Sequence, residues 1–187
     1  MSRVLVPLAE GFEEVEAVTV VDVLRRCGVE VVLAAVGESR ETRGAHGVAV
    51  TADALFADVC DEAYDAIVLP GGGPGTERLR GCDALLSRLR RQAEEGRLLC
   101  AICAAPTVLV EAGVLEPGVH VTCYPSCQME LDRPWSPVPV VADGNVITGQ
   151  APGSALLFGL VVLQALAGEP AARKVARAMV TDALDGE

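Results

Sequence analysis

Short apolar runs alternate with longer amphipathic stretches along the whole chain. Arg3–Leu8 reads as a strand, followed by a helix over residues 14–27 that Gly28 ends. Residues 29–35 form a second strand, and a polar stretch, 37–47, leads to a short strand at 48–51. Residues 64–69 run into a glycine-rich turn and then a helix near 83–95, closed by Gly96. Leu98–Ile102 and Pro106–Ala112 make a strand-turn-helix unit. Strands at 138–141 and 146–148 flank Asp143-Gly144-Asn145, a hairpin-type turn. Helices at 154–167 and 170–184 finish the pattern. Apolar strands separated by helices predict a mostly parallel sheet covered on both faces, a flavodoxin-like or Rossmann-like α/β three-layer sandwich. Nothing resembling a repeat or linker divides the chain, so residues 1–187 read as a single domain.

Ligands of such folds sit beyond the carboxyl ends of the strands, where residues 10–16, 71–75 and Cys103 all fall. The strand Leu98–Ile102 stops abruptly at Cys103, and Ala104-Ala105-Pro106-Thr107 reverses into a helix. That pattern is a nucleophile elbow, a tight turn that strains one residue at the top of a sheet. A helix beginning there offers unpaired N–H groups and a dipole, which push a thiol toward thiolate. On this pattern alone, a buried inert cysteine fits as well.

Upstream, Leu69-Pro70-Gly71-Gly72-Gly73-Pro74-Gly75 is a strand end rich in glycine, where backbone N–H groups can approach a reacting oxygen. It lacks the Lys-Ser/Thr of a P-loop and the spacing of a dinucleotide fingerprint, and by itself it is only a turn. The third piece is Glu10-Gly11-Phe12-Glu13-Glu14-Val15-Glu16, just after the first strand. Glu13 and Glu14 need only complement a helix dipole. Glu16 lies among Val15, Ala17, Val18 and Val20, so it faces partly inward, where a carboxylic acid tends to keep its proton.

In this order, Glu13-Glu14-x-Glu16-Ala17, Leu69-Pro70-Gly71-Gly72, and Ala101-Ile102-Cys103-Ala104-Ala105-Pro106 resemble the DJ-1 branch of the DJ-1/PfpI superfamily. Ala151-Pro152-Gly153-Ser154-Ala155 is similar to the late Gly-Pro-Gly-Thr motif of that family. The resemblance implies that Cys103 is the reactive centre and that Glu16 hydrogen-bonds its sulfur. It also implies that the N–H groups of Gly72 and Ala104 face the reacting oxygen, with Gly71 beside them. Two departures stand out. Where some members carry a histidine near the cysteine, this chain reads Cys123-Tyr124-Pro125. Tyr124 can donate a hydrogen bond but is a poor base near neutrality. The protease-like branch has histidine immediately after the nucleophile, and here Ala104 stands there, which argues against peptidase chemistry. With no His-x-Glu pair in the C-terminal third, glutamine amidotransfer is equally disfavoured.

Charge and cysteine usage narrow the field further. A net charge of −11 opposes nucleic acid as a partner. No apolar run spans a bilayer and no leader pattern opens the chain, so a cytoplasmic protein is expected. Seven cysteines without secretory context suggest free thiols. Cys100-x2-Cys103 and Cys123-x3-Cys127 imitate a zinc spacing, but residues three apart on a strand face opposite ways, so no metal is expected. Trp135, between Pro134 and Pro137, either lids the site or anchors its loop. His46 in Gly44-Ala45-His46-Gly47 is most simply a turn residue, while the resemblance places its segment at a dimer interface near the partner's reactive cysteine.

The resemblance therefore implies a homodimeric, cofactor-independent enzyme of glyoxalase III or deglycase type, acting on a small carbonyl substrate such as methylglyoxal or glyoxal, or on its protein adducts. The competing expectation is a redox-sensing stress protein or chaperone in which Cys103 is oxidised to sulfinic acid.

Overall fold

The structure, a computed structural model, describes residues 1–184. Seven strands form one sheet: β1 (Arg3–Leu8), β2 (Glu30–Ala35), β5 (Ala54–Leu55), β6 (Ala66–Leu69), β7 (Leu98–Ile102), β8 (Val140–Asp143) and β9 (Val146–Gly149). Their order is β5-β2-β1-β6-β7-β9-β8, parallel throughout except for the β8–β9 hairpin. β3 (Glu41–Arg43) and β4 (Ala49–Thr51) make a separate antiparallel ribbon. The helices are α1 (Glu14–Arg26), α2 (Phe56–Val59), α3 (Gly73–Arg80), α4 (Asp83–Glu94), α5 (Pro106–Ala112), α6 (Gln128–Leu131), α7 (Ala155–Ala167) and α8 (Glu169–Ala178). This is the expected flavodoxin-like α/β sandwich.

The two faces of the sheet carry separate cores. Val4, Val6, Leu8, Val68, Cys100 and Ile102 pack under α1, α7 and α8. Leu5, Ile67, Leu69, Leu99 and Ala101 pack under α3, α4 and α5. The alternation along each strand thus feeds both faces, which is why the strands read as continuous apolar runs.

β5, α2 and α6 lie where the sequence pattern predicts no element, and four boundaries differ from it, each for a local reason. Gly73-Pro74-Gly75 is the first turn of α3 rather than an open turn, with proline at a position whose N–H would be unsatisfied anyway. β3 lies inside the polar stretch 37–47, because Glu41, Thr42 and Arg43 carry no apolar alternation to betray it. β8 begins at Val140, since a short turn at Gly144-Asn145 sets Asp143 opposite Val146 and Val140 opposite Gly149. Finally, α8 stops at Ala178 instead of running to 184. Val180 takes a left-handed φ of 54°, and Thr181 N–H closes on the Ala176 carbonyl at 3.1 Å. A β-branched Val180-Thr181 pair does little to prolong a helix.

Candidate active site

The elbow begins with the last pair of the β7–β9 ladder. Ile102 lies opposite Gly149, and the Cys103 N–H donates to the Gly149 carbonyl at 2.9 Å. Cys103 then turns to φ 65°, a region that side chains other than glycine seldom enter. A conformation of this kind costs about 1–3 kcal/mol and persists only where its surroundings enforce it. Here the Tyr124 N–H donates to the Cys103 carbonyl at 2.8 Å and the Ala105 N–H to the Ile102 carbonyl at 3.0 Å, so both sides of the turn are held. The helix α5 starts only at Pro106, three residues on, so the sulfur does not sit at its first turn as expected. The backbone donors that reach the sulfur are the N–H groups of Ala104 and Gly72.

Gly72 comes from the end of β6, and its shape is dictated by its neighbours. Its φ is 91°, and a Cβ there would overlap the Gly11 carbonyl and the Glu13 nitrogen. Gly71 is equally confined: a Cβ would lie 2.7 Å from the Cys103 Cβ and 2.8 Å from Glu16 Oε2. The Gly71 N–H instead donates to Glu16 Oε2 at 2.7 Å. Glu16, in the first turn of α1, is 0% exposed, and its Oε1 has no hydrogen-bond partner among the described residues. The structure therefore brings Cys103, Glu16, Gly71, Gly72 and Ala104 together. Tyr124 joins them through its backbone, while its side chain is 45% exposed.

Burial dominates the electrostatics of the pair. It raises the Glu16 carboxyl to about 7, against the lowering effect of the Gly71 N–H and the Cys103 sulfur, and the Glu13 charge adds to the rise. The Cys103 thiol is pushed up to about 12, first by burial, then by the charge of ionised Glu16 and its hydrogen bond. The Ala104 and Gly72 N–H groups pull it the other way. A thiol lowered on its own, as the elbow pattern suggested, is thus not what this surrounding produces. The two groups act as a coupled unit. An ionised Glu16 repels a thiolate, whereas a protonated Glu16 becomes a donor to it, so thiolate forms when the proton resides on Glu16.

The zinc-like cysteine spacing also resolves. Cys100 and Cys103 both pack on the α1 face, because the left-handed turn at Cys103 breaks the strand alternation that should have separated them. Cys123 and Cys127 lie on the opposite face, so the four sulfurs share no site. Among the described residues, the cluster with ligand-type atoms close together is Glu13, Glu14 and His46, within 4.8 Å of one another. His46 Nδ1 lies 2.9 Å from Glu14 Oε2 and 3.7 Å from Glu13 Oε2, at the tip of the β3–β4 hairpin. Burial alone would raise Glu14, but hydrogen bonds from the His46 ring and nearby backbone lower it to about 2. Sequence reasoning gave Glu14 only a dipole role. What pairs with it is a histidine 32 residues away on an unforeseen hairpin. Trp135 anchors its loop: Val121 and Trp135 form a bridge, Val121 N–H donates to Pro134, and the indole packs on the α4 and α5 face.

No helix among the described residues is long and apolar enough to cross a membrane. The description "DJ-1/PfpI family" matches residues 2–165. Protein DJ-1 homolog A of Arabidopsis thaliana is 40% identical over 177 residues, 94% of this chain and 45% of that protein. The chain thus spans less than half the length of that plant relative. Protein dj-1beta of Drosophila melanogaster is 38% identical, covering 94% of this chain and 95% of its own length. A protein of Caenorhabditis elegans named glutathione-independent glyoxalase DJR-1.2 is 34% identical, over 85% of each chain. The solved structure of oxidized Toxoplasma gondii DJ-1 superposes with a TM-score of 0.93 at 38% identity, covering 97% of this chain and 99% of that one. With the family description matching most of its length, a fly relative 38% identical along almost the whole chain and a closely superposing fold, the chain belongs to the DJ-1/PfpI family.

Proposed function

We propose that this protein is a cysteine-dependent, cofactor-independent glyoxalase III or deglycase-type enzyme of the cytoplasm, acting on methylglyoxal, glyoxal or their protein adducts. The observation that carries this reading is one buried carboxyl raised to about 7 beside a strained cysteine, with two backbone N–H groups on the same sulfur. The glyoxalase name of the nematode relative supports it. The Cys103 thiolate adds to the aldehyde carbon of methylglyoxal, and the new alkoxide is met by the Gly72 and Ala104 N–H groups. Glu16 passes its proton to that oxygen, then removes the hydrogen from the same carbon and returns it to the neighbouring one, while the hydroxyl proton moves to the former ketone oxygen. The first carbon is thereby oxidised and the second reduced, leaving a thioester of lactate. Water cleaves the thioester, releasing lactate and restoring the thiol. In steady-state assays of lactate formation, Cys103→Ser should fall to background and Glu16→Gln by about 10²–10⁴-fold. Undiminished turnover in Cys103→Ser would remove this reading.

A second reading is favoured by Tyr124, which puts no histidine base beside the site. In it, Cys103 is a redox sensor that peroxide oxidises to sulfenic and then sulfinic acid, held by Glu16 and the same N–H groups. Here peptide mass spectrometry after mild peroxide should find Cys103 modified before the buried Cys100 and Cys123. Earlier oxidation of Cys123 or Cys127 would move the reactive thiol to the Tyr124 loop.

A further inference from the structure

The loop that leads into α1 and Glu16 is held from outside. Residues 10–13 lie between the glycine loop after β6 and the β3–β4 hairpin. On the inner side, Glu13 N–H donates to the Gly71 carbonyl at 2.9 Å and Gly75 N–H to the Gly11 carbonyl at 3.2 Å. On the outer side, Gly11 N–H donates to the Arg43 carbonyl and Ala45 N–H to the Phe12 carbonyl, both at 2.8 Å. One buried side chain gathers the hairpin tip. The Glu14 carboxylate accepts from the His46 N–H at 2.8 Å, the Val48 N–H at 3.3 Å and the His46 ring at 2.9 Å. Gly44 faces it so closely that a Cβ would overlap the carboxyl group.

We propose that Glu14 is a positioning residue: with His46 it clamps the hairpin tip onto the turn that leads into α1 and its Glu16, and charge on His46 closes the clamp. The charged groups facing the imidazole are Glu14 and Glu13 on the α1 side, while the Arg43 guanidinium on the hairpin donates to the Gly47 carbonyl and the Arg43 N–H is held by Glu10. The hydrogen bond to Glu14, with the charges of Glu13 and Glu14 beside it, holds the ring in its charged form above its ordinary range. Below its titration the clamp carries a charge-assisted bond, and above it the neutral Nδ1–H tautomer leaves a weaker hydrogen bond beside the two backbone donors. Because His46 also faces Glu13, whose charge acts on Glu16, losing the imidazolium changes the field at the Cys103 pair as well as the hold on the loop. This inference rests on reading Cys103 as the reactive thiol, and its test needs no turnover.

The experiment follows amide exchange at Ala45, His46 and Val48 together with the rate of Cys103 alkylation by iodoacetamide, from pH 5.5 to 9. Wild type, His46→Gln and His46→Lys are compared. The His46 side chain is 70% exposed within one protomer, so each variant should fold, and light scattering checks that it keeps the wild-type mass. His46 and His120 are the two histidines of the chain, so NMR follows the His46 titration directly. In wild type, protection of the three amides should drop through that titration, beyond the base-catalysed rise shared by every amide. The alkylation profile should bend at the same pH. His46→Gln should exchange about tenfold faster at low pH and lose the inflection that follows the His46 titration while keeping the Glu16 step near pH 7, and His46→Lys should stay protected throughout. If His46→Gln matches wild type in both readouts, the clamp does not exist. If protection changes but alkylation does not, Glu14 has no positioning role. If both respond as expected and no lactate forms, the clamp stands and the glyoxalase reading fails.

Discussion

At the scale of the residue, the chemistry turns on one proton shared between Glu16 and Cys103. With Glu16 raised to about 7, the first proton leaves the pair near neutrality, and thiolate appears in the fraction of molecules that keep the other proton on the carboxyl. The rate of alkylation at Cys103, followed by peptide mass, should therefore show a step near pH 7. Glu16→Leu removes the partner and should shift that step upward, above the ordinary thiol range, because burial still opposes the thiolate. Glu16→Gln keeps a donor and should shift it less. A Leu variant that titrates like wild type would leave the proposed proton transfer without a carrier. The same carboxyl sets a pH dependence of stability. Between its unfolded value of about 4.5 and its folded value of about 7, the folded state holds a proton that the unfolded state has lost. Stability therefore falls as pH rises across that window, by up to about 3 kcal/mol, and Glu16→Gln should flatten the fall in urea titrations.

At the scale of the element, the site is assembled by three strand ends and the turns that follow them. β1, β6 and β7 are neighbours in the sheet, so their carboxyl ends deliver Glu16, Gly71-Gly72 and Cys103 to one place. The glycine turn is the tightest of these junctions. Gly72→Ala would force a side chain into a left-handed conformation and against the Gly11 carbonyl. We expect a loss of about 1–3 kcal/mol from the backbone conformation alone, read as a lower urea midpoint. A midpoint unchanged from wild type would mean that the loop after β6 relaxes freely. The strands, α1 and the elbow were legible in the chain because their signals are local: continuous apolar runs, a 3.6-residue period and a strand broken at cysteine. α3 and β3 were not, since a Gly-Pro-Gly start resembles a turn and Glu-Thr-Arg carries no alternation.

At the scale of the whole molecule, α1 shows why pattern alone overstates a free surface. Val20, Val21, Val23 and Leu24 looked available for pairing, but all four are buried against the protein's own core. Val15 and Val18 remain, each 51% exposed. We expect these two to lie in a homodimer interface. Light scattering at micromolar concentration should give twice the 19.4 kDa chain mass, and Val18→Glu should shift it toward monomer. A monomeric wild type would remove the dimer and any contribution of His46 to a partner's site. By itself the sequence determined the α/β layering, the order of the motifs, the cysteine at the strand break and the carboxyl turned inward, because each depends on neighbours a few residues away. Only the tertiary structure decided that burial pushes the Cys103 thiol up rather than down, that Cys100 shares its face, and that Glu14 holds a hairpin through His46. Those outcomes depend on burial and on groups tens of residues apart, and neither is written in local pattern.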